Sequence, residues 1–134
     1  MTDMPAKPIP NPTALSQPYW DGVSVGELRL QTCVVCDTPR HYPRLLCDRC
    51  YSDEVRWVVA SGKGKIHSWT IAHHPYHPAF VTEVPYTLVL VDLEEGPRAM
   101  GRFEGATLSI GDDVLGNYHQ REGGADLVFT RAND

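Results

Sequence analysis

The sequence has no apolar run long enough to cross a bilayer. Its longest apolar stretch, around Tyr86–Val91, is far shorter than the ~20 residues that a membrane-spanning helix needs. The N-terminus, MTDMPAKPIPNP, has a single lysine and no apolar stretch after it, so we expect neither a signal peptide nor a lipid anchor. Without such a signal, we expect a cytoplasmic protein with reduced cysteines and no membrane partner.

Positive charge is also scarce over the whole chain. Twelve Lys and Arg against 17 Asp and Glu give a formal net charge of −5, whereas proteins that bind nucleic acid are generally basic. The charge is uneven, however: segment 29–65 has seven basic and four acidic residues, and segment 66–134 has four basic and ten acidic residues. The middle of the chain can therefore attract a phosphate-bearing ligand, although ordinary solvated surface charge explains the same counts equally well.

Sequence motifs for independent catalysis are missing as well. No Gly-x-Ser-x-Gly motif occurs and no acidic pair stands out, so histidines are the main catalytic candidates. Four of them fall within segment 67–77, where one could act as a general base or several could hold a second metal. We favour a Pro-framed loop that contacts a partner or lines a substrate path. The loop residues assigned to this role are His73, His74, Tyr76, His77 and Phe80.

What the chain does have is a series of short β-segments. At 134 residues it can form one small domain with an appendage. Four prolines in its first fifteen residues predict an extended arm, and Ser16 and Gly26 are a suitable N-cap and stop for a short helix. Five segments with strand signals follow and predict a mainly β fold with a five-stranded OB-fold barrel. The predicted strands are 65–71, 86–93, 98–103, 114–120 and 126–130.

All four cysteines lie within eighteen residues, as Cys33-Val-Val-Cys36 and Cys47-Asp-Arg-Cys50. Two such knuckles supply four thiolates, which suit tetrahedral Zn²⁺ and leave no open coordination position. We therefore predict one structural zinc ion that replaces the core this segment cannot build. Disulfides would fit a secreted chain, and iron would fit the same thiolate cage. The chain then divides into an arm and helix (1–27), a zinc ribbon (28–57) and the barrel (58–134).

Several cations flank the second knuckle and the first barrel strand. They can meet the phosphates of a ligand such as CoA, since Arg offers bidentate pairing and Lys a mobile charge. Gly62 and Gly64 either let the backbone approach that ligand or merely shape the start of a strand. The candidate CoA-binding residues are Arg40, Arg44, Arg49, Lys63 and Lys65.

Further motifs run through nearly the whole chain around these features. In order they are Pro18-Tyr19-Trp20-Asp21-Gly22, Leu28-x-Leu30-Gln31-x-Cys33-x-x-Cys36, His41-Tyr42-Pro43-Arg44, Leu46-Cys47-x-x-Cys50, Trp57, Ser61-Gly62-x-Gly64-x-Ile66-His67-Ser68-Trp69-Thr70, His77-Pro78-Ala79-Phe80, Pro85-Tyr86, Val89-x-Val91-x-Leu93-x-Glu95-Gly96 and Ile110-Gly111-x-x-Val114. With them the sequence resembles the acyl-CoA-associated OB-fold proteins with a rubredoxin-like zinc ribbon, known as domain-of-unknown-function family thirty-five.

The resemblance implies a helper subunit that is not an enzyme by itself. Members of this family are found beside thiolase-like enzymes, hydroxymethylglutaryl-CoA synthase assemblies and steroid side-chain retro-aldolases, where they are thought to scaffold the partner or bind the CoA of its substrate. The implied function is an accessory subunit of a thiolase-like, acyltransferase or retro-aldolase complex in lipid or steroid metabolism. The implied partners are that enzyme subunit and acyl-CoA, and we expect contacts through the arm, loop 73–85 and the tail after Arg121.

Two other functions remain open at this point. A nucleic-acid-binding OB-fold module with a zinc ribbon would need stacking aromatics among cations, which the acidic barrel half opposes. A rubredoxin-like electron carrier would hold iron and be coloured, whereas a zinc protein would be colourless.

Overall fold

The computed structural model describes residues 7–121 and 123–132. Its elements comprise one α-helix, one 3-10 turn and eight strands. They are α1 (Gln17–Ser24), β1 (Leu28–Cys33), β2 (Pro39–Arg40), β3 (Val55–Ala60), β4 (Lys63–Ala72), the 3-10 turn (Pro78–Phe80), β5 (Tyr86–Leu93), β6 (Arg98–Phe103), β7 (Asp113–Arg121) and β8 (Gly124–Arg131). Within the described ranges, no helix is long and apolar enough to pass through a membrane.

Helix α1 follows the predicted signals with one local difference. Ser16 occupies the N-cap position, but its hydroxyl makes no capping bond and instead accepts a hydrogen bond from the Thr13 amide at 3.0 Å. After the helix, Gly26 adopts φ +81°, a left-handed conformation that glycine takes without steric cost. Tyr19 and Val23 are buried on one face of the helix. That face packs against Ala125 of β8, so the helix is fixed to the barrel.

The cysteine-bearing segment forms a small antiparallel sheet in the order β2-β1-β3. Strand β1 pairs along its whole length with β3, from Leu28 opposite Ala60 to Cys33 opposite Val55. Strand β2 is only two residues long and places Arg40 opposite Gln31. This sheet carries one knuckle directly at the end of β1.

The other five strands close into a barrel in the order β4-β5-β6-β8-β7, because β4 pairs with both β5 and β7. Neighbours are antiparallel except β6 and β8, which run parallel. This confirms the predicted OB-fold, and strands β5 and β6 have the predicted bounds. The segment after Arg121 forms β8 inside the barrel wall, with Phe129 fully buried.

The barrel core and the root of the ribbon sheet share one apolar cluster. In β5 the alternate residues Val89, Val91 and Leu93 point inward, as expected for a strand with one buried face. Leu28 and Leu30 of β1 belong to the same cluster and are almost completely buried. Each such side chain contributes about 1.5–3 kcal/mol on burial, so β1 is anchored in the barrel core.

Gly64 has a packing role at the first barrel strand. A Cβ atom there would lie 2.5 Å from Val91 Cγ1 and 2.6 Å from the Asp92 carbonyl oxygen. Glycine therefore allows β4 and β5 to approach each other closely. Of the two alternatives left open for Gly64, the structure supports the one in which glycine shapes the strand.

Candidate functional site: a four-cysteine centre and two clefts

The two knuckles share the same backbone hydrogen bond and a left-handed residue at the same position. The Cys33 carbonyl accepts from the Asp37 amide at 2.9 Å, and the Cys47 carbonyl accepts from the Tyr51 amide at 3.0 Å. Asp37 and Tyr51 both adopt positive φ, at 62° and 64°. Each chain reversal therefore places its two thiols on the same side of a tight turn.

The four Sγ atoms converge at one point. All lie within 4.8 Å of one another, and the Cys33–Cys50 and Cys36–Cys47 pairs are each 3.5 Å apart. In a tetrahedron with Zn–S bonds of ~2.3 Å, the sulfur atoms lie about 3.8 Å apart. The donor set and spacing therefore fit a four-coordinate metal that takes soft ligands.

Backbone amides favour the thiolate form of two of the four cysteines, Cys33 and Cys47. The Arg49 amide donates to Cys47 Sγ at 3.4 Å, and this bond, with a second from the Cys50 amide, lowers the pKa of Cys47 to about 6. A bond from the Cys36 amide lowers the pKa of the Cys33 thiol in the same way. Because metals bind thiolate and not thiol, these amides prepare the site for a cation.

The five candidate CoA-binding cations do not form one site. Arg40, Arg44 and Arg49 line a cleft of about 470 Å³ between the ribbon and the β5–β6 turn. We call this the ribbon cleft; it is also lined by His41 and Glu95. The two lysines lie elsewhere and are described next.

Lys63 and Lys65 line a separate cleft of about 680 Å³ where β4 pairs with β7, which we call the lysine cleft. Lys65 Nζ is paired there with Asp113 Oδ1 at 2.6 Å. Asp92 and Glu94 also line this cleft, so its charge is mixed. The lysines are close to the arginines in the sequence, but in the fold they line a different cleft.

Two of the three histidines in the predicted loop make contacts with neighbouring residues. His77 Nδ1 accepts from the Ala79 amide at 3.0 Å and caps the 3-10 turn, while Phe80 lies between the His77 and Tyr86 rings. His74 stacks edge-on against Tyr76 at 4.6 Å, and His73 is exposed. Over residues 7–121 and 123–132, the four cysteines are the only group of three or more possible ligands that converges.

Ionic contacts of Glu83, which the sequence analysis did not predict, fix loop 73–85 to the barrel; we call them the clamp. Glu83 Oε1 accepts from Arg102 at 2.5 Å, and Glu83 Oε2 pairs with Lys7 of the arm at 2.9 Å. Burial opposes ionisation of Glu83, but these bonds outweigh it and lower its pKa. Arg102 also lies 4.1 Å from the centre of the Tyr86 ring. Nothing in the local sequence pairs Glu83 with Arg102, nineteen residues away.

A second missed residue, His41, lies between the ribbon and the helix. Its ring contacts the Tyr19 ring at 5.0 Å and the Tyr42 ring at 4.0 Å. Burial lowers the pKa of His41 to about 4, so the imidazole is neutral at pH 7. The neutral His41 ring therefore packs between helix α1 and the ribbon.

Fold and cysteine centre together define the class: a rubredoxin-like zinc-ribbon protein with an OB-fold barrel. A family model described as "ChsH2, rubredoxin-like zinc ribbon domain" matches residues 20–56, and one described as "ChsH2, C-terminal OB-fold domain" matches residues 57–115. The chain is also 30% identical over 103 residues to a "DUF35 domain-containing scaffold protein" of Methanothermobacter thermautotrophicus, covering 73% of this chain and 77% of that protein. The chain belongs to the DUF35 family, as its sequence motifs indicated.

A solved structure titled "Ltp2-ChsH2(DUF35) aldolase" contains a chain of the same shape. The two superpose with a TM-score of 0.83 at 32% identity, over 92% of this chain and 98% of that chain. The similarity therefore extends through both the ribbon and the whole barrel.

Two longer relatives carry hydratase names. The chain is 39% identical over 87 residues to a "Probable enoyl-CoA hydratase alpha subunit" of Thermomonospora curvata, which is 65% of this chain and 27% of that protein. It is 36% identical over 103 residues to a "3-oxo-4,17-pregnadiene-20-carboxyl-CoA hydratase alpha subunit" of Mycobacterium tuberculosis, covering 75% of this chain and 32% of that protein. The chain thus spans about a third or less of the length of these two relatives.

Proposed function

We propose that this chain is a non-catalytic accessory subunit that docks on a thiolase-like, acyltransferase or retro-aldolase enzyme and helps to bind or channel its acyl-CoA substrate. The observation that carries the proposal is the match over nearly the full length of the DUF35 chain in an aldolase assembly. The relatives with hydratase names act on CoA esters by those names, which supports the same substrate class. The proposed setting is a cytoplasmic hetero-oligomer in lipid or steroid metabolism.

We further propose that Cys33, Cys36, Cys47 and Cys50 hold one Zn²⁺. When bound, the ion would cross-link the two knuckles and contribute folding free energy, with all four positions taken by protein. The division into 1–27, 28–57 and 58–134 would then separate an arm and helix, a metal-stabilised ribbon and a core-stabilised barrel.

Exposed apolar side chains at the knuckles support docking to a partner. Five of them are between 49% and 75% exposed, and exposed apolar side chains that are close in the sequence are candidates for an interaction surface. These residues are Val34, Val35, Leu45, Leu46 and Tyr51. We propose that they join the arm and loop 73–85 in contacting the enzyme.

Co-expression with candidate thiolase-like, acyltransferase and retro-aldolase subunits tests the proposal. We expect one of them to co-purify with this chain and acyl-CoA turnover to require both. A Leu45→Ser, Val35→Ser variant should lose co-purification, while Ile110→Ser, equally exposed on the barrel, should keep it. Turnover of an acyl-CoA by this chain alone would overturn the proposal, and so would failure to bind a subunit of any of these three enzyme classes.

A further inference from the structure

The ribbon cleft contains a buried charge without a counterion. Arg40 is only 5% exposed, yet its Nε and Nη1 atoms have no hydrogen-bond partner within residues 7–121 and 123–132. Its Nη2 atom donates to the Arg44 carbonyl at 3.1 Å, which holds the guanidinium in place. A buried cation without a partner is unfavourable by several kcal/mol, so this arrangement indicates a missing anion.

Two further arginines line the same cleft. The side chains of Arg44 and Arg49 are exposed and make no ion pair in the described part of the chain. Backbone contacts fix their positions: the Arg44 amide donates to the buried Gln31 Oε1 at 2.8 Å, and the Arg49 amide donates to Cys47 Sγ. Three arginines that line one cleft suit a phosphate, which arginine binds through paired hydrogen bonds.

The cleft also contains an acceptor that a simple anion would not satisfy. Glu95 Oε2 accepts from the Ser61 amide at 2.8 Å, whereas Glu95 Oε1 is buried without a partner. Asp48 is a further acidic residue at the cleft, while Asp37 is already paired with Arg56. Arg40 and Glu95, which carry the unpartnered donors and the unpartnered acceptor, therefore line one cleft of about 470 Å³, which lies in the usual range for small-molecule sites.

A phosphorylated sugar supplies both missing partners. Its phosphate oxygens accept from arginine, and its free hydroxyl donates to a carboxylate. We propose that the ribbon cleft binds a phosphorylated ribose, with Arg40, Arg44 and Arg49 holding the phosphate and Glu95 accepting a ribose hydroxyl. CoA carries such a group at its adenosine end, so in this form the inference rests on the proposed function; a free nucleotide carries the same chemistry.

Calorimetry with the full, metal-loaded chain at low salt tests the site with four probes: adenosine 3′,5′-bisphosphate, adenosine 5′-monophosphate, adenosine and inorganic phosphate. We expect binding of the bisphosphate and none of adenosine. Tighter binding of the bisphosphate than of the monophosphate assigns the site to CoA, and the reverse assigns it to a nucleotide; both support a phosphorylated-ribose site.

The variants avoid Arg40, because its removal could unfold the ribbon. Arg44→Gln with Arg49→Gln should weaken bisphosphate binding at least about tenfold, since each loses a charge-assisted bond. Lys63→Gln with Lys65→Gln removes the same charge from the lysine cleft and should change binding less than about twofold. Equal losses in the two double variants would overturn the site.

Glu95→Gln separates a sugar phosphate from a bare anion. It removes a negative charge and the free acceptor, so it should weaken bisphosphate binding and strengthen inorganic phosphate binding. Tighter binding of both probes would show an anion site only, and no binding of any probe would overturn the inference entirely. If the chain fails to bind every probe but still co-purifies with its enzyme, the proposed function survives and the cleft assignment does not.

Discussion

The ribbon and the barrel obtain their order in different ways. Strands β4 to β8 enclose Val89, Val91 and Phe129, all almost completely buried, so the barrel is stabilised by an apolar core. The knuckles bury Cys33 and Cys47 but leave the neighbouring valines and leucines exposed. Because the ribbon does not need those apolar side chains for its own core, it can present them to another protein.

Removing the metal should give the largest difference in stability between the ribbon and the barrel. We expect chelation, or Cys47→Ser, to unfold the knuckles while the barrel stays folded, because structural Zn²⁺ contributes on the order of 10 kcal/mol in small zinc domains. Amide hydrogen exchange should show lost protection at 33–52 and retained protection in β5 and β6. Val35→Ser, at a residue of the first knuckle that holds no metal, is the control and should leave both regions protected. Equal loss of protection in both regions would contradict two separate sources of order.

A substitution in the apolar core should destabilise both regions, whereas metal removal should unfold only the knuckles. Phe129→Ala removes the largest fully buried side chain and should destabilise the whole protein by about 3–5 kcal/mol, since β1 is anchored in the same cluster. Urea unfolding measured by tryptophan fluorescence gives the difference. Leu115→Ala, at a side chain 37% exposed, should cost much less. A barrel that unfolds while the knuckles keep their metal and protection would show that the regions are less coupled than β1 indicates.

Acid should act at the junction of the two regions through His41. Its pKa is lowered to about 4 in the folded state, below the ordinary 6.5, so the unfolded chain binds more protons between these values. Stability is therefore lost as the pH falls through that window, by about 2 kcal/mol between pH 7 and pH 5. His41→Phe keeps the ring contacts and should remove this part of the pH dependence in urea unfolding. An unchanged slope would mean that His41 becomes protonated without cost.

The clamp on loop 73–85 should give the smallest effect. Arg102→Ala removes the bond to Glu83 and the contact with Tyr86, and we expect a loss of about 1–2 kcal/mol with faster amide exchange confined to the loop. Arg98→Ala breaks an exposed pair with Asp92 and should cost less than about 1 kcal/mol. If the two variants behave alike, the loop is held by its own packing and the clamp is incidental.

Local patterns in the sequence were sufficient for much of this structure. Strand β5 has alternating burial over eight residues and the knuckles are defined by their cysteine spacing, so both could be predicted from neighbours in the chain. The five cations could not be placed, because Arg40 lies in a two-residue strand whose position depends on its pairing with Gln31. Contacts such as Ser61 with Glu95, thirty-four residues apart, depend on the closed barrel and have no local signal.

Strand β1 begins in the barrel core at Leu28 and ends at the cysteine centre with Cys33. Six extended residues cover roughly 20 Å, and no flexible linker interrupts them. The zinc ribbon is therefore rigidly connected to the barrel through β1. A partner that binds the knuckles would therefore also fix the orientation of the whole barrel.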